Sequence, residues 1–319
     1  MPNSMPATWP DAPRAEDAAC FRRRPVAIVG LGLMGGSLAL ALKAAGHRGP
    51  IIGIARRRQT LEMARALGAI DEGDTELAAV AGAELVILAT PVRTVLRQIP
   101  EAASHMRAGA LLLDLGSTKQ QICQALALAP PALQVLGGHP MCGKETSGLD
   151  VAEAALYQDQ TFVLCPLART SRVSLATGLA LIAAVGARPL ILEPARHDCL
   201  VATISHLPYL VAAALTQVAA QAGETDEQVW QVAASGFRDT SRLAGSDPAM
   251  MLDILLTNAP AVHSALAALR VQLEQLDAWL AAGDETALRQ LLQAVQAQRH
   301  AFARQPRRTA TAGAAAPSA

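Results

Sequence analysis

Val26-Ala27-Ile28-Val29-Gly30-Leu31-Gly32-Leu33-Met34-Gly35-Gly36-Ser37 is the stretch that decides the fold of this chain. Four apolar residues run straight into G-x-G-x-x-G, and an Ala- and Leu-rich stretch of helical character follows. That order reads strand, tight turn, helix. Gly30 permits the turn, Gly32 lets the backbone approach a pyrophosphate, and Gly35 lets the helix pack close to the strand. A helix that opens at Leu33 and Met34 offers unpaired N–H groups and the positive end of its dipole to phosphates. A dinucleotide is therefore expected on Gly30, Gly32, Leu33, Met34 and Gly35.

The next strand, Ile51-Ile52-Gly53-Ile54, is where a fold of this kind places an Asp or Glu for a ribose 2′-hydroxyl. No acidic residue occurs between Val26 and Leu61, and the strand runs into Arg56-Arg57-Arg58. A carboxylate would repel a 2′-phosphate, whereas guanidinium groups pair with it. Arg56 and Arg57 thus point to NADP, with NAD as the other possibility and a solvated basic turn as the plain alternative. Thr90 and Pro91, just past the apolar run 84–89, complete the candidate cofactor contacts.

Before residue 194, apolar runs at 84–89, 111–114, 134–136, 161–164 and 189–192 alternate with helical patterns. This predicts an α/β fold, a doubly wound, mostly parallel sheet of Rossmann type. Beyond 194 the strand signals stop, and Ala/Leu/Gln-rich helical stretches take over at 195–221, 226–234, 247–281 and 284–304. The expected organisation is a dinucleotide-binding domain over 24–193 and an all-α substrate and dimerisation domain over 194–305. Tails without fixed structure are expected at 1–23 and 306–319. Long apolar helices need a partner surface, so a homodimer through the helical half is expected.

The 319 residues carry 27 basic and 27 acidic side chains, a formal net charge of zero that gives no electrostatic case for nucleic acid or an anionic membrane. The longest apolar candidate for a membrane span, 200–220, is interrupted by His206, Pro208 and Gln217. Five cysteines, with no C-x-x-C, suggest reduced thiols in a cytoplasmic protein. No metal is called for.

Three motifs fall where strand ends should meet the helical half. Asp114-Leu115-Gly116-Ser117-Thr118-Lys119 places Ser117 and Lys119 over the cofactor, or alternatively uses Ser117 as a helix N-cap. Gly137-Gly138-His139-Pro140-Met141-Cys142-Gly143-Lys144-Glu145-Thr146-Ser147-Gly148 brackets one imidazole, the side chain suited to take a proton near neutral pH. Glu145 is a candidate orienting carboxylate or a solvated one. Gly236-Phe237-Arg238-Asp239-Thr240-Ser241-Arg242 reads as a turn between helices, able to clamp a carboxylate or to form a surface salt-bridge network.

Together with His197-Asp198 and Ser205-His206-Leu207-Pro208, these motifs resemble, in order and spacing, the TyrA family of prephenate and arogenate dehydrogenases. The resemblance runs from about Pro25 to Gln305. It implies oxidative decarboxylation of a small molecule, arogenate or prephenate, with hydride leaving ring C4 for the nicotinamide and aromatisation driving the reaction. By the same resemblance His139 takes the C4-hydroxyl proton and Ser117 helps to fix it. Arg242 binds substrate carboxylate, Glu145 and Asp239 shape access, and His206 contacts substrate or packs. With an ordinary imidazole, activity would fall below pH about 6.5.

One departure bears on the substrate. Members that use prephenate often carry a second His where this chain has Tyr209. Losing that potential cation, together with the basic turn at Arg56, makes the pattern resemble the arogenate-type members. A dual-substrate enzyme is the alternative. Tyr209 is expected to face the site one turn beyond His206, or else to pack in the helical core. A β-hydroxyacid or imine reductase would use a helical-domain Lys, and no Lys follows residue 194. A regulatory protein that had lost catalysis would show damage at His139, Ser117 or Arg242, and all three are intact.

Overall fold

A computed structural model describes residues 13–144 and 146–304. The first part of the chain runs α1 (Ala15–Phe21), β1 (Val26–Val29), α2 (Leu33–Ala44), β2 (Ile51–Ile54), α3 (Arg58–Ala66), β3 (Glu72–Asp74), β4 (Leu85–Leu88), α4 (Val92–His105), β5 (Leu111–Asp114) and α5 (Gln120–Ala127). It continues through β6 (Gln134–Pro140), β7 (Thr161–Cys165), α6 (Arg172–Ala184) and β8 (Arg188–Ile191). Helices follow: α7 (Pro194–Val201), α8 (Leu207–Thr225), α9 (Gln228–Val232), α10 (Ser235–Ser241), α11 (Pro248–Thr257), α12 (Ala259–Ala282) and α13 (Glu285–Arg304).

The eight strands form one sheet in the order β3-β2-β1-β4-β5-β6-β7-β8. Neighbours are parallel except β6 and β7, which run antiparallel with His139 opposite Val163. The strand order reverses between β1 and β4, which opens a crevice at their carboxyl ends. Alternation along each strand feeds both faces. Val26, Ile28, Leu85 and Ile87 join one apolar layer with Leu38 and Leu42, while Ala27, Val29, Val86 and Leu88 join another with Val95, Ile99 and Ile122. Both faces are covered, which is why these strands read as continuous apolar runs.

Several expectations need correction. Ala15–Phe21 is a helix and Phe21, 1% exposed, is part of the core, so residues 15–21 are not a loose tail. An aromatic ring that buries its full area overrides the polar composition around it. β3 carried no sequence signal, because Glu72-Gly73-Asp74 is polar and short and sits at the sheet edge. The helix expected over 247–281 is broken at Asn258, and Gly236–Ser241 is helical rather than a turn.

Two compact units divide at Ala259/Pro260, later than the 193/194 point where strands give way to helices. Helices α7 to α11 therefore fold with the sheet. Pro194–Thr225 is a continuous helical run of 32 residues, long and apolar enough to cross a membrane by length and composition only. It carries His197, Asp198 and His206, all buried and hydrogen-bonded within the folded unit.

Candidate active site

The glycine-rich turn has the shape its sequence demands. Gly30 sits at φ +97°, a left-handed conformation that favours glycine. A Cβ on Gly35 would lie 1.9 Å from the Gly30 carbonyl oxygen, so α2 can approach β1 only with glycine there. A Cβ on Gly32 would meet nothing within 4 Å. The cradle at the start of α2, beside Leu33 and Met34, is thus bounded by backbone and open on its outer side, which fits a pyrophosphate. Arg56 and Arg57 are exposed just past the carboxyl end of β2. Thr90 donates to Gln98 Oε1 at 2.6 Å, and Pro91 leads into α4.

The β5 end builds the next layer. Asp114 and Lys119 are fully buried and form an ion pair. Lys119 Nζ also donates to the Gly138 carbonyl at 2.7 Å, while the amides of Gly116 and Gly138 donate to Asp114 at 2.8 and 3.2 Å. Lys119 therefore does not stand over the cofactor as the sequence suggested. It ties the β5 loop to the backbone just before His139, because a buried ammonium must find a carboxylate and further acceptors. Ser117, partly buried, lies on the loop this pair holds. Nor is the α5 N-terminus capped by Ser117: Asp198 on α7 accepts from the amides of Lys119 at 2.7 Å and Gln120 at 2.8 Å.

Asp198 then organises an imidazole chain. Its Oδ1 lies 2.8 Å from His197 Nδ1, and His197 Nε2 lies 2.8 Å from His139 Nδ1. A carboxylate accepts, so His197 carries its proton on Nδ1 and turns the lone pair of Nε2 toward His139. His139 must donate from Nδ1, which leaves its own Nε2 as a lone pair on the far side of the ring. Burial, then the neighbouring His197, Lys119 and His206, hold the His139 imidazole well below its ordinary value. The base form persists at lower pH than the sequence alone suggested.

His206 lies in a π-helical turn, Ala202–His206, that joins α7 to α8. Such turns insert a residue and redirect side chains, often at functional sites. It is 2% exposed, and burial pushes it down to about 4. Asn258 Nδ2 faces its Nδ1 at 3.2 Å and donates to the Asp198 carbonyl at 2.8 Å. Tyr209 is partly buried against the apolar layer that includes Met251 and Ile254, the packing alternative that the sequence left open. Asp239 is exposed on α10, and Arg242 is exposed at the start of a short 3₁₀ turn, Arg242–Gly245, packed beside α8. Glu145 lies outside the described residues. The sequence named His197-Asp198 without a role and missed Asn258; a buried helix carrying adjacent His and Asp was the available signal.

A doubly wound sheet with a glycine-rich cradle after β1, an imidazole at the end of β6 and following helices is the architecture of a nicotinamide-dependent dehydrogenase. The comparisons narrow the class. Residues 38–191 match the family model "Prephenate dehydrogenase, nucleotide-binding domain", and 193–294 match "Prephenate dehydrogenase, dimerization domain". The prephenate dehydrogenase of Bacillus subtilis is 36% identical over 259 residues, 80% of this chain and 67% of its own length. The A. aeolicus prephenate dehydrogenase, solved with hydroxyphenyl propionate and NAD+, superposes with TM-score 0.83 at 31% identity, covering 88% of this chain and 98% of that one. Synechocystis arogenate dehydrogenase gives TM-score 0.75 at 31% identity, covering 87% and 99%. The chain belongs to the prephenate dehydrogenase family and is an NAD(P)-dependent oxidoreductase.

Proposed function

We propose that this enzyme converts arogenate to tyrosine by oxidative decarboxylation, with NADP as its preferred cofactor and His139 as its base. The observation that carries the catalytic reading is the Asp198–His197–His139 chain, because it fixes the His139 proton on Nδ1 and leaves Nε2 to accept. The nicotinamide, when bound on the Gly30–Gly35 cradle, takes the hydride from ring C4. His139 Nε2 takes the proton of the C4 hydroxyl as the hydride leaves, and His197 and Asp198 stabilise the imidazolium that forms. The ring carboxylate then departs as carbon dioxide, and its bonding pair completes the aromatic ring. The resulting phenolate recovers the proton from His139, so the base is regenerated each turnover.

Ser117 is proposed to hold the reacting hydroxyl beside His139, with Arg242 supplying a guanidinium for substrate carboxylate. His206 faces the substrate from the π-helical turn before α8, and Asp239 and Glu145 shape entry. NADP preference is supported by the exposed Arg56 and Arg57 at the end of β2 and by the lack of any acid there. Arogenate is supported by the absence of a cation at Tyr209, which holds however the ring packs. Use of both substrates is a second reading, favoured by the inward packing of Tyr209, which leaves that end of the substrate without a committed partner.

A homodimer through the helical segment is proposed on the unburied apolar side chains of α12 and α13, such as Leu280, Leu292 and Phe302. The discriminating experiment is a two-by-two assay of prephenate or arogenate with NAD or NADP, read as kcat/KM. A ratio favouring arogenate with NADP is the expected result. A strong preference for prephenate with NAD would reject both finer assignments.

A further inference from the structure

Asn258 belongs to none of the sequence motifs, yet it bridges two catalytic elements. It closes α11, is 4% exposed, and is the residue at which the helical run 248–282 breaks. Its amide nitrogen donates to the Asp198 carbonyl at 2.8 Å and faces His206 Nδ1 at 3.2 Å. A backbone carbonyl only accepts, so Asp198 fixes which end of the Asn258 amide carries the N–H groups. The imidazole nitrogen opposite those N–H groups must then be a lone pair. That places the His206 proton on Nε2, on the far side of the ring.

The surroundings leave His206 no competing arrangement. From α7, Asp198 and His197 approach it, but both Asp198 oxygens already accept from His197 and from the amides of Lys119 and Gln120. On β6, His139, near enough to feel His206 electrostatically, has its Nδ1 taken by His197, and Lys119 is paired with Asp114. The ring is buried among groups that do not supply it with a carboxylate partner, so it stays neutral.

We propose that Asn258 is a positioning residue that holds His206 as a neutral Nε2–H donor, and that this donor hydrogen-bonds an oxygen of the ring substrate. A neutral donor can orient the substrate without competing with His139 for the proton in transit. The proposal rests on the dehydrogenase reading of the His139 site, but its central claim can be read without substrate.

The experiment is nitrogen-15 NMR of imidazole-labelled protein near neutral pH, with the His206 signal identified by its loss in His206→Gln. Wild type should show Nε2 protonated and Nδ1 bare. In Asn258→Asp the new carboxylate should draw a proton onto Nδ1 and bring His206 titration up toward the neutral range. KM for the ring substrate should rise about tenfold, the scale of one lost hydrogen bond, with KM for the nicotinamide cofactor unchanged. Asn258→Ala should give a mixture of tautomers. A wild-type His206 protonated on Nδ1 would overturn the proposal even if neither Asn258 variant folds. So would a folded Asn258→Asp protein with an unchanged tautomer and pH profile. Absence of turnover with either ring substrate would instead reject the dehydrogenase reading and leave the tautomer result standing.

Discussion

Lys119 Nζ donates to the carbonyl oxygen of Gly138 at 2.7 Å, so a lysine on one strand-end loop holds the backbone that carries His139 on the next strand. The same ammonium pairs with Asp114, and neither side chain has measurable exposure. The two strand ends that carry Ser117 and His139 are thereby locked in register by one buried cation.

Removing that cation should be costly. Lys119→Met leaves Asp114 buried without its partner and should destabilise the protein by about 3–5 kcal/mol in chemical denaturation. Adding Asp114→Asn to the same chain should recover a large part of that loss, because the uncompensated charge is gone. A Lys119→Met protein as stable as wild type would show that the pair contributes no net stability.

The imidazole chain makes two kinetic predictions. His139→Asn should keep cofactor binding and lose at least ~10²-fold in kcat. Asp198→Asn should also lower kcat by ~10²-fold or more with cofactor KM retained, since the proton of His197 is no longer directed to Nδ1. The acid limb of kcat/KM should lie below pH about 6.5, the ordinary imidazole value, because burial and then the neighbouring His197, Lys119 and His206 favour the base form. An acid limb at or above that value would contradict a His139 held neutral by its surroundings.

Stability should follow the depressed value of His206. A group that binds its proton less readily when folded contributes stability above its unfolded value of 6.5, and that contribution is lost as pH falls toward the folded value of about 4. A difference of this size corresponds to about 3 kcal/mol. Unfolding free energy measured between pH 7 and 4 should decline more steeply in wild type than in His206→Gln. Parallel slopes would mean that His206 does not drive acid destabilisation.

Cofactor choice is tested at the end of β2. Arg56→Ala, alone and with Arg57→Ala, should weaken NADP use by ~1.5–3 kcal/mol, the scale of a charge-assisted contact. NAD use should change little. Equal weakening of both cofactors would assign these arginines to folding rather than to selection.

Phe21 reports on the N-terminal helix. Phe21→Ala should cost ~3–5 kcal/mol, since the ring is 1% exposed and its removal leaves a cavity beneath α1. A melting temperature unchanged from wild type would return residues 15–21 to the status of a dispensable tail.

The sequence determined what depends on neighbours along the chain. The turn at Gly30–Gly35 was legible because φ and steric limits act on single residues. The strands at 26–29, 51–54 and 111–114 were legible because a sheet covered on both faces needs unbroken apolar runs. His139 stood out as the one imidazole among glycines where a strand was expected to end. Only the tertiary structure decided the partners. Asp198 could not be seen capping α5 while bound to His197, because residues 119 and 198 are brought together by a sheet and a helix packed across it. Lys119 read as a free cation until burial showed that it had to be paired. Asn258 had no signal at all, since its meaning lies in two acceptors that are 52 and 60 positions away in the chain and hydrogen-bonding distance away in space.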